Sequence, residues 1–299
     1  MIRIGTRGSD LALWQANHVA DLIGRERVNI IVIKTKGDRI VNVSFDKMEG
    51  KGFFTKEIEE ALLSREIDLA VHSMKDLPTE NTPGLAIAAV MRREDPSDVL
   101  LVRAERYMRA GELPLAEGAI VGTSSLRRAA QLLNIMPSLE VRPLRGNVPT
   151  RVRRLREERF DAIVLARAGL SRLGLDTSGL VEFILPFSYF LPAPAQGALA
   201  IQVREGDAEL HQSLRSLNDA ETEMAVETER HFLEHFGGGC HVPLGALAYR
   251  SGGMLRLSGL VASVDGKRLI RKSIDGDDPA LLGRRLADML KEEGAGGLI

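Results

Sequence analysis

The sequence predicts an α/β protein in which two similar α/β domains face each other across a cleft and a smaller α+β domain follows. Three observations predict it. Strand-like and helix-like patterns alternate through most of the 299 residues, as layered α/β domains require. The plan then repeats. Ile4-Gly5-Thr6-Arg7-Gly8-Ser9 runs into a helix pattern, as does Val121-Gly122-Thr123-Ser124-Ser125, and Arg65-Glu66-Ile67-Asp68-Leu69-Ala70-Val71 is echoed by Glu158-Arg159-Phe160-Asp161-Ala162-Ile163-Val164. Beyond about residue 217 the character changes to one long helix pattern, three consecutive alternating runs and a closing helix. A chain of this length also exceeds one comfortable hydrophobic core, so two or three domains are expected.

Taken in order, residues 2–6 read as a strand and 11–23 as a helix, with Ser9 or Asp10 placed to cap it. Residues 28–35 form a β-branched strand, and 36–52 a loop bearing glycine and lysine. Residues 56–63 are helical, and 68–72 and 85–91 are short buried strands. In each half of the repeat a charged helix end is followed by an aspartate that opens an apolar strand. Generic α/β packing produces such a likeness as well as true duplication does. In the last part, 219–236 is a helix, 244–249, 254–261 and 268–274 are strands, and 279–292 is a helix with Pro279 suited to its first turn.

Composition narrows the function classes. Hydrophobic residues make up 44% and charged residues 27%, with a net charge of −1, so no global charge steers the chain to nucleic acid or membrane. A single cysteine rules out an internal disulfide framework and points to a reducing compartment. The start lacks the layout of a signal peptide, and no apolar run approaches the roughly 20 residues of a membrane span. The expected location is the cytoplasm.

The positive charge is unevenly placed. Between Ile120 and Leu175 there are eleven arginines, no lysine and only four acids. Arginine without lysine favours bidentate binding of planar anions. Arg153, Arg154, Arg156 and Arg159 fit a solvated helix face. Arg127, Arg128, Arg145 and Arg151 instead sit beside strand-to-helix turns, where helix amides also point at an anion. Aromatic residues total 4%, and none lies between Arg127 and Arg159. Nucleic-acid surfaces interleave aromatics with basic groups, so a small polycarboxylate is the better fit.

His72-Ser73-Met74-Lys75-Asp76-Leu77-Pro78 follows a strand end, where open α/β sheets bind ligands. Asp76 there is placed either to face a developing cation or to donate a proton, and Lys75 either to bind a carboxylate or to tune Asp76. A capping Asp-Lys pair is the plainer alternative. The lone cysteine lies in Gly237-Gly238-Gly239-Cys240-His241-Val242-Pro243. Three glycines allow either a simple hinge or a thiol held out beside a bulky group. The six histidines show no metal-ligand spacing with Cys240, no nucleotide-binding glycine motif is present, and no metal is expected. Gly50-Lys51-Gly52-Phe53-Phe54 reads as a mobile flap.

Several motifs in order carry a resemblance over nearly the whole chain: Leu11-Ala12-Leu13-Trp14-Gln15-Ala16, Gly50-Lys51-Gly52, Ala70-Val71-His72-Ser73-Met74-Lys75-Asp76, Arg93-Glu94-Asp95-Pro96, Gly122-Thr123-Ser124-Ser125-Leu126-Arg127-Arg128, Leu144-Arg145-Gly146-Asn147, Gln196-Gly197-Ala198 and Gly238-Gly239-Cys240. The ordered set resembles the porphobilinogen deaminase family. The resemblance implies two doubly wound domains like those of type II periplasmic binding proteins around a cleft, plus the small third domain. Domain one would be discontinuous, 1–93 with 193–215, domain two would span 97–190 and domain three 217–299. The implied enzyme is a transferase of heme and porphyrin biosynthesis. It joins four porphobilinogen units head to tail with loss of ammonia, giving hydroxymethylbilane, on a dipyrromethane cofactor held by a thioether to Cys240.

By match to the family motifs, Asp76 is the catalytic carboxylate and also contacts the cofactor. Lys75, Thr123, Ser124, Ser125, Arg127, Arg128 and Gly146 bind the cofactor. Arg7, Ser9, Lys51, Arg145, Arg151, Arg172 and Gln196 bind substrate. The implied partner is the small molecule porphobilinogen, with no nucleic acid and no membrane, and the expected state is a monomer. Two positions depart from the family pattern: Gly8, where a larger polar residue is frequent, and Ala195, where glycine commonly precedes the glutamine. Pro149 falls near the start of a helix, where proline is tolerated. Two other classes remain open on the residues alone. A two-lobed anion-binding module gives Cys240 and Asp76 no role, and a thiol hydrolase requires a histidine able to reach the sulfur.

Overall fold

The structure is a computed structural model describing residues 1–35, 55–109, 111–157, 159–237 and 242–298. The first sheet holds β1 (Ile2–Thr6), β2 (Val28–Val32), β3 (Leu69–Ser73), β4 (Leu85–Val90) and β10 (Leu199–Arg204) in the order β2-β1-β3-β10-β4. The second holds β5 (Asp98–Arg103), β6 (Ile120–Gly122), β7 (Glu140–Arg142), β8 (Ala162–Ala166) and β9 (Leu180–Ile184) in the order β7-β6-β8-β5-β9. Each sheet has four parallel strands and one antiparallel strand inserted before the last of them. In both, the inserted strand follows a segment of chain arriving from the other sheet. β5 enters the second sheet after β4, and β10 returns to the first after β9. This is the two-lobed type II binding-protein pattern, with two crossing segments between the lobes.

Helices cover the sheets. α1 (Asp10–Ile23) and α2 (Lys56–Leu63) belong to the first lobe. α3 (Leu126–Ile135), α4 (Val148–Arg156) and α5 (Arg167–Leu173) belong to the second. α6 (Ala208–Leu214) follows β10. The first core gathers Ile4, Ala16, Val19, Leu69, Val71 and Ile201, and the second gathers Leu100, Val121, Leu132, Val164 and Phe190. The aspartates noted in the repeat have the same job in each lobe. An Asp68 oxygen accepts the Arg3 backbone N–H at 2.8 Å, and an Asp161 oxygen accepts that of Ile120 at 2.8 Å. Each pins the start of a neighbouring parallel strand.

The third part is an antiparallel sheet of β11 (Leu244–Ser251), β12 (Met254–Ala262) and β13 (Leu269–Gly276). α7 (Ala220–Glu234) and α8 (Pro279–Glu292) pack on it through Phe232, Leu255, Leu257, Leu282 and Leu286. The β11–β12 turn uses Gly252 and Gly253 at φ 58° and 90°, the left-handed pair that a two-residue hairpin needs. Among the described residues, no helix is long and apolar enough to cross a membrane.

One buried cluster binds the third part to the crossing segments. Glu229 of α7 is fully buried and accepts from Arg93 Nη1 and Nη2 at 2.6 and 3.0 Å. It also accepts the backbone N–H groups of Ala195 and Ala248, at 2.6 and 2.7 Å. Ala195 is held at φ 62°, in the left-handed region where alanine is disfavoured and glycine is not, which is the physical content of its departure from the family pattern. Removing one partner of a buried pair strands the other's charge. Glu229→Ala is expected to cost about 3–5 kcal/mol in urea unfolding; a loss below about 1 kcal/mol would contradict this account of the junction.

Candidate active site in the cleft

The carboxyl ends of the parallel strands bring several of the expected residues, from both lobes, near one another. The turn after β1 supplies Arg7 and Ser9, and Ser9 Oγ caps α1 by accepting the Ala12 N–H. The turn after β3 supplies Ser73, Lys75 and Asp76. A pocket at this end is lined by Arg7, Ser9, Gln15, His72, Ser73 and Asp76, among others. Gln15 Nε2 donates to Ser73 Oγ at 2.9 Å and so fixes that wall.

From the second lobe come Thr123, Ser124 and Ser125 after β6. Ser125 caps α3 by accepting the Arg128 N–H, and Thr123 Oγ1 accepts the Ser125 N–H at 3.2 Å. Ser124 Oγ donates to the Leu144 carbonyl at 3.0 Å and accepts the Leu144 N–H at 3.1 Å, which ties two cleft turns together. Gly146 sits at φ 110°, and a Cβ there would come within 2.8 Å of Thr150 Cγ2, so the turn before α4 requires glycine. The Gly146 carbonyl accepts from Arg151 Nε at 2.8 Å. Arg172 of α5 donates to the Gly197 carbonyl at 2.7 Å and lies over the Trp14 ring of the first lobe, 5.7 Å from its centroid. Lys51, Cys240 and the flap at 50–54 lie outside the described residues.

Three placements differ from the reading of the sequence. Arg127 and Arg128 do not stand free beside their turn. Both are buried and grip Asp98, the first residue of β5, at 2.6 and 2.7 Å. Arg127 also donates to the Leu191 carbonyl and Arg128 to that of Val164. Gln196 does not face the cleft. It is fully buried, with Nε2 donating to Asp98 at 3.0 Å and to the Pro96 carbonyl at 2.8 Å, while Oε1 accepts from Lys75 Nζ at 3.2 Å. Arg154 is half-buried rather than solvated, and donates to the Arg145 carbonyl at 3.0 Å.

Asp98 is the residue that sequence reasoning missed. The signal was a carboxylate opening the apolar run Asp98-Val99-Leu100-Leu101-Val102, an acid that a buried strand tolerates only with a partner.

The electrostatics follow from this crowding. Burial drives the Asp98 carboxyl up, but the charges of Arg127 and Arg128, with hydrogen bonds from Arg127 and Gln196, outweigh it and hold it well below the usual range. Burial pushes the half-buried Lys75 ammonium down to about 8; Arg128 and Arg127 add to the fall, while Asp76 and Asp98 oppose it. Burial lowers Arg151 to about 10, helped by Arg128 and Arg154 and opposed by Asp76. Burial also lowers Arg172, against the pull of Glu94. Among the described residues, Lys75 and Arg151 thus feel the repulsion of Arg127, Arg128 and Arg154, which Asp76 and Asp98 oppose. A ligand with several carboxylates would relieve that repulsion, so the donor set fits a polycarboxylate cofactor.

The family comparison agrees. Residues 2–212 match the model described as "Porphobilinogen deaminase, dipyromethane cofactor binding domain", and residues 224–292 match its C-terminal domain. Porphobilinogen deaminase of Syntrophomonas wolfei is 46% identical, covering 100% of this chain and 97% of that protein. That of Geobacillus kaustophilus is 47% identical (100% and 96% covered), and that of Desulforudis audaxviator 50% identical (99% and 96% covered).

The lowered pKa makes the charge on Lys75 depend on pH just above neutrality. A lysine held at about 8 in the folded chain and at 10.5 when unfolded costs stability in full below pH 8, and that cost is relieved as pH climbs toward 10.5. A bound carboxylate needs the ammonium, so affinity for a pyrrole dicarboxylate is expected to fall by up to about tenfold per pH unit above 8. Calorimetric titration should show this slope in the parent chain and its loss in Lys75→Arg; equal slopes in both would contradict the assignment. On the matched domains and full-length relatives, the chain belongs to the porphobilinogen deaminase family.

Proposed function

We propose that this chain is the transferase that joins four porphobilinogen units head to tail, releasing ammonia each time, to give the linear tetrapyrrole hydroxymethylbilane in heme and porphyrin biosynthesis. The observation that supports it best is the position of Asp76: a carboxylate at the carboxyl end of β3, facing a cleft whose other fixed charge is mostly cationic. A dipyrromethane held by a thioether to Cys240 would supply the nucleophilic pyrrole carbon to which the first unit is joined.

The chain's own residues have distinct tasks in this reading. Each porphobilinogen carries two carboxylates. Arg7, Ser9, Lys51, Arg145, Arg151 and Arg172 hold those of the substrate, and Lys75, Thr123, Ser125 and Arg128 those of the cofactor. Arg127, Ser124 and Gln196 act from behind, fixing the side chains and turns that touch ligand. When ammonia leaves, the carbon–nitrogen bond breaks with its pair going to nitrogen, and the pyrrole nitrogen's electrons fill the deficient carbon. The cation so formed faces Asp76, whose carboxylate also accepts a pyrrole N–H. A preplaced charge aimed at charge developing in the transition state is the strongest lever such a site has.

The reading extends to the setting. Residues 1–93 with 193–215, 97–190 and 217–299 act as three bodies around the cleft. The protein works as a cytoplasmic monomer and binds no nucleic acid, in keeping with a net charge of −1 and the commitment of its arginines to the cleft and its supports. Asp76→Asn is expected to lower kcat for hydroxymethylbilane formation by about 100-fold or more while leaving attachment of the primer intact. Turnover and denatured mass, measured on the same preparation, check both. Loss of less than about tenfold in kcat would remove Asp76 from the mechanism.

A further inference from the structure

His72 is buried, lines the pocket beside Asp76, and is unused by the mechanism above. It sits on β3 under α2, in a chain of three buried polar side chains. Its Nε2 lies 3.1 Å from Gln202 Oε1, and Gln202 Nε2 lies 3.1 Å from Glu59 Oε1. With Glu59 as a carboxylate, these contacts assign the hydrogens along the chain. A carboxylate only accepts, so the Gln202 amide nitrogen faces Glu59 and its oxygen faces His72. That oxygen also only accepts, so the imidazole hydrogen is on Nε2. Nδ1 is left with a lone pair and, among the described residues, no protein partner. Burial lowers the imidazole to about 4, against the hydrogen bond to Gln202, so the ring stays neutral through the physiological range.

The lining of the pocket therefore includes the cation Arg7, the charged acceptor Asp76, and His72, a neutral ring whose tautomer is set by the chain behind it. We propose that His72 is a specificity-determining residue: its Nδ1 receives a nitrogen-bound hydrogen of the pyrrole substrate, with Gln202 and Glu59 holding the tautomer that makes this possible. A neutral acceptor selects an N–H donor without repelling the neighbouring carboxylates. It also leaves a carboxylate unpaired if the ring binds the wrong way round. The proposal rests on the porphobilinogen reading above.

Nitrogen-15 spectra of the holoenzyme, with the His72 signals assigned by their loss in His72→Phe, test it. The expected result is a neutral ring with hydrogen on Nε2, whose Nδ1 signal moves when porphobilinogen binds. Hydrogen on Nδ1, an imidazolium at neutral pH, or an Nδ1 signal indifferent to substrate (as when an internal water satisfies it) would overturn the proposal. In kinetics, His72→Phe is expected to raise KM about tenfold with kcat within about twofold, the loss of one neutral hydrogen bond. Two analogues identify the donor. If it is the pyrrole N–H, the variant should bind N-methylporphobilinogen no worse than the parent does. If it is the aminomethyl group, the same holds for an analogue with methyl in its place. A variant that weakens both analogues as much as porphobilinogen itself would contradict the contact. Parent turnover of porphobilinogen, measured alongside, separates this failure from failure of the assigned reaction.

Discussion

The Asp98 carboxylate, clamped between Arg127 and Arg128, is the interaction on which the rest of the molecule depends. Removing a carboxylate from water costs several kcal/mol unless opposite charge and hydrogen bonds replace the lost hydration. Here both are present, and the cluster joins three parts of the chain. Asp98 opens the strand that crosses into the second lobe, the arginines begin α3, and Gln196 belongs to the segment that crosses back. The two crossings are therefore tied to each other and to the wall of the cleft. Through Gln196 the tie continues to Lys75, one residue from Asp76.

This arrangement makes the hinge and the ligand site one electrostatic unit. Asp98 neutralises only part of the charge around it, so Lys75 and Arg151 remain under strain from neighbouring cations and from burial. That strain is the physical expression of affinity for a polyanion, since carboxylates entering the cleft recover what burial took from the cations. Arginine suits the task better than lysine because it keeps its charge under these conditions and meets carboxylates with a planar fork. Lys75, the exception, is the group whose charge the surroundings can shift into the neutral range.

Much of the fold was legible because its signals are local. Ser9, Ser125 and Asn147 cap helices where polar side chains precede periodic apolar runs, and helices at 56–63 and 279–292 have the expected bounds. The repeated aspartates proved to be strand pins, a purpose that only three-dimensional pairing reveals. What escaped local reading is long-range. β10 pairs with β3 and β4 across more than a hundred residues, and period and propensity carry no trace of that. The family motifs implied the return where the local pattern did not. The site divides the same way. Residue types at strand ends mark Asp76, Lys75 and Arg151, but no spacing rule says that Arg127 and Arg128 grip an acid about thirty residues earlier, or that Gln196 faces inward.

The central claim is that the cleft is built to hold a covalently anchored polycarboxylate. Its most direct test is the intact mass of the purified protein under denaturing conditions, before and after incubation with porphobilinogen. The account predicts a mass above that of the chain by two porphobilinogen-derived rings, present on isolation or gained on incubation, and absent from Cys240→Ser under both conditions. A parent chain that stays unmodified after incubation, or an adduct that persists in Cys240→Ser, would contradict it.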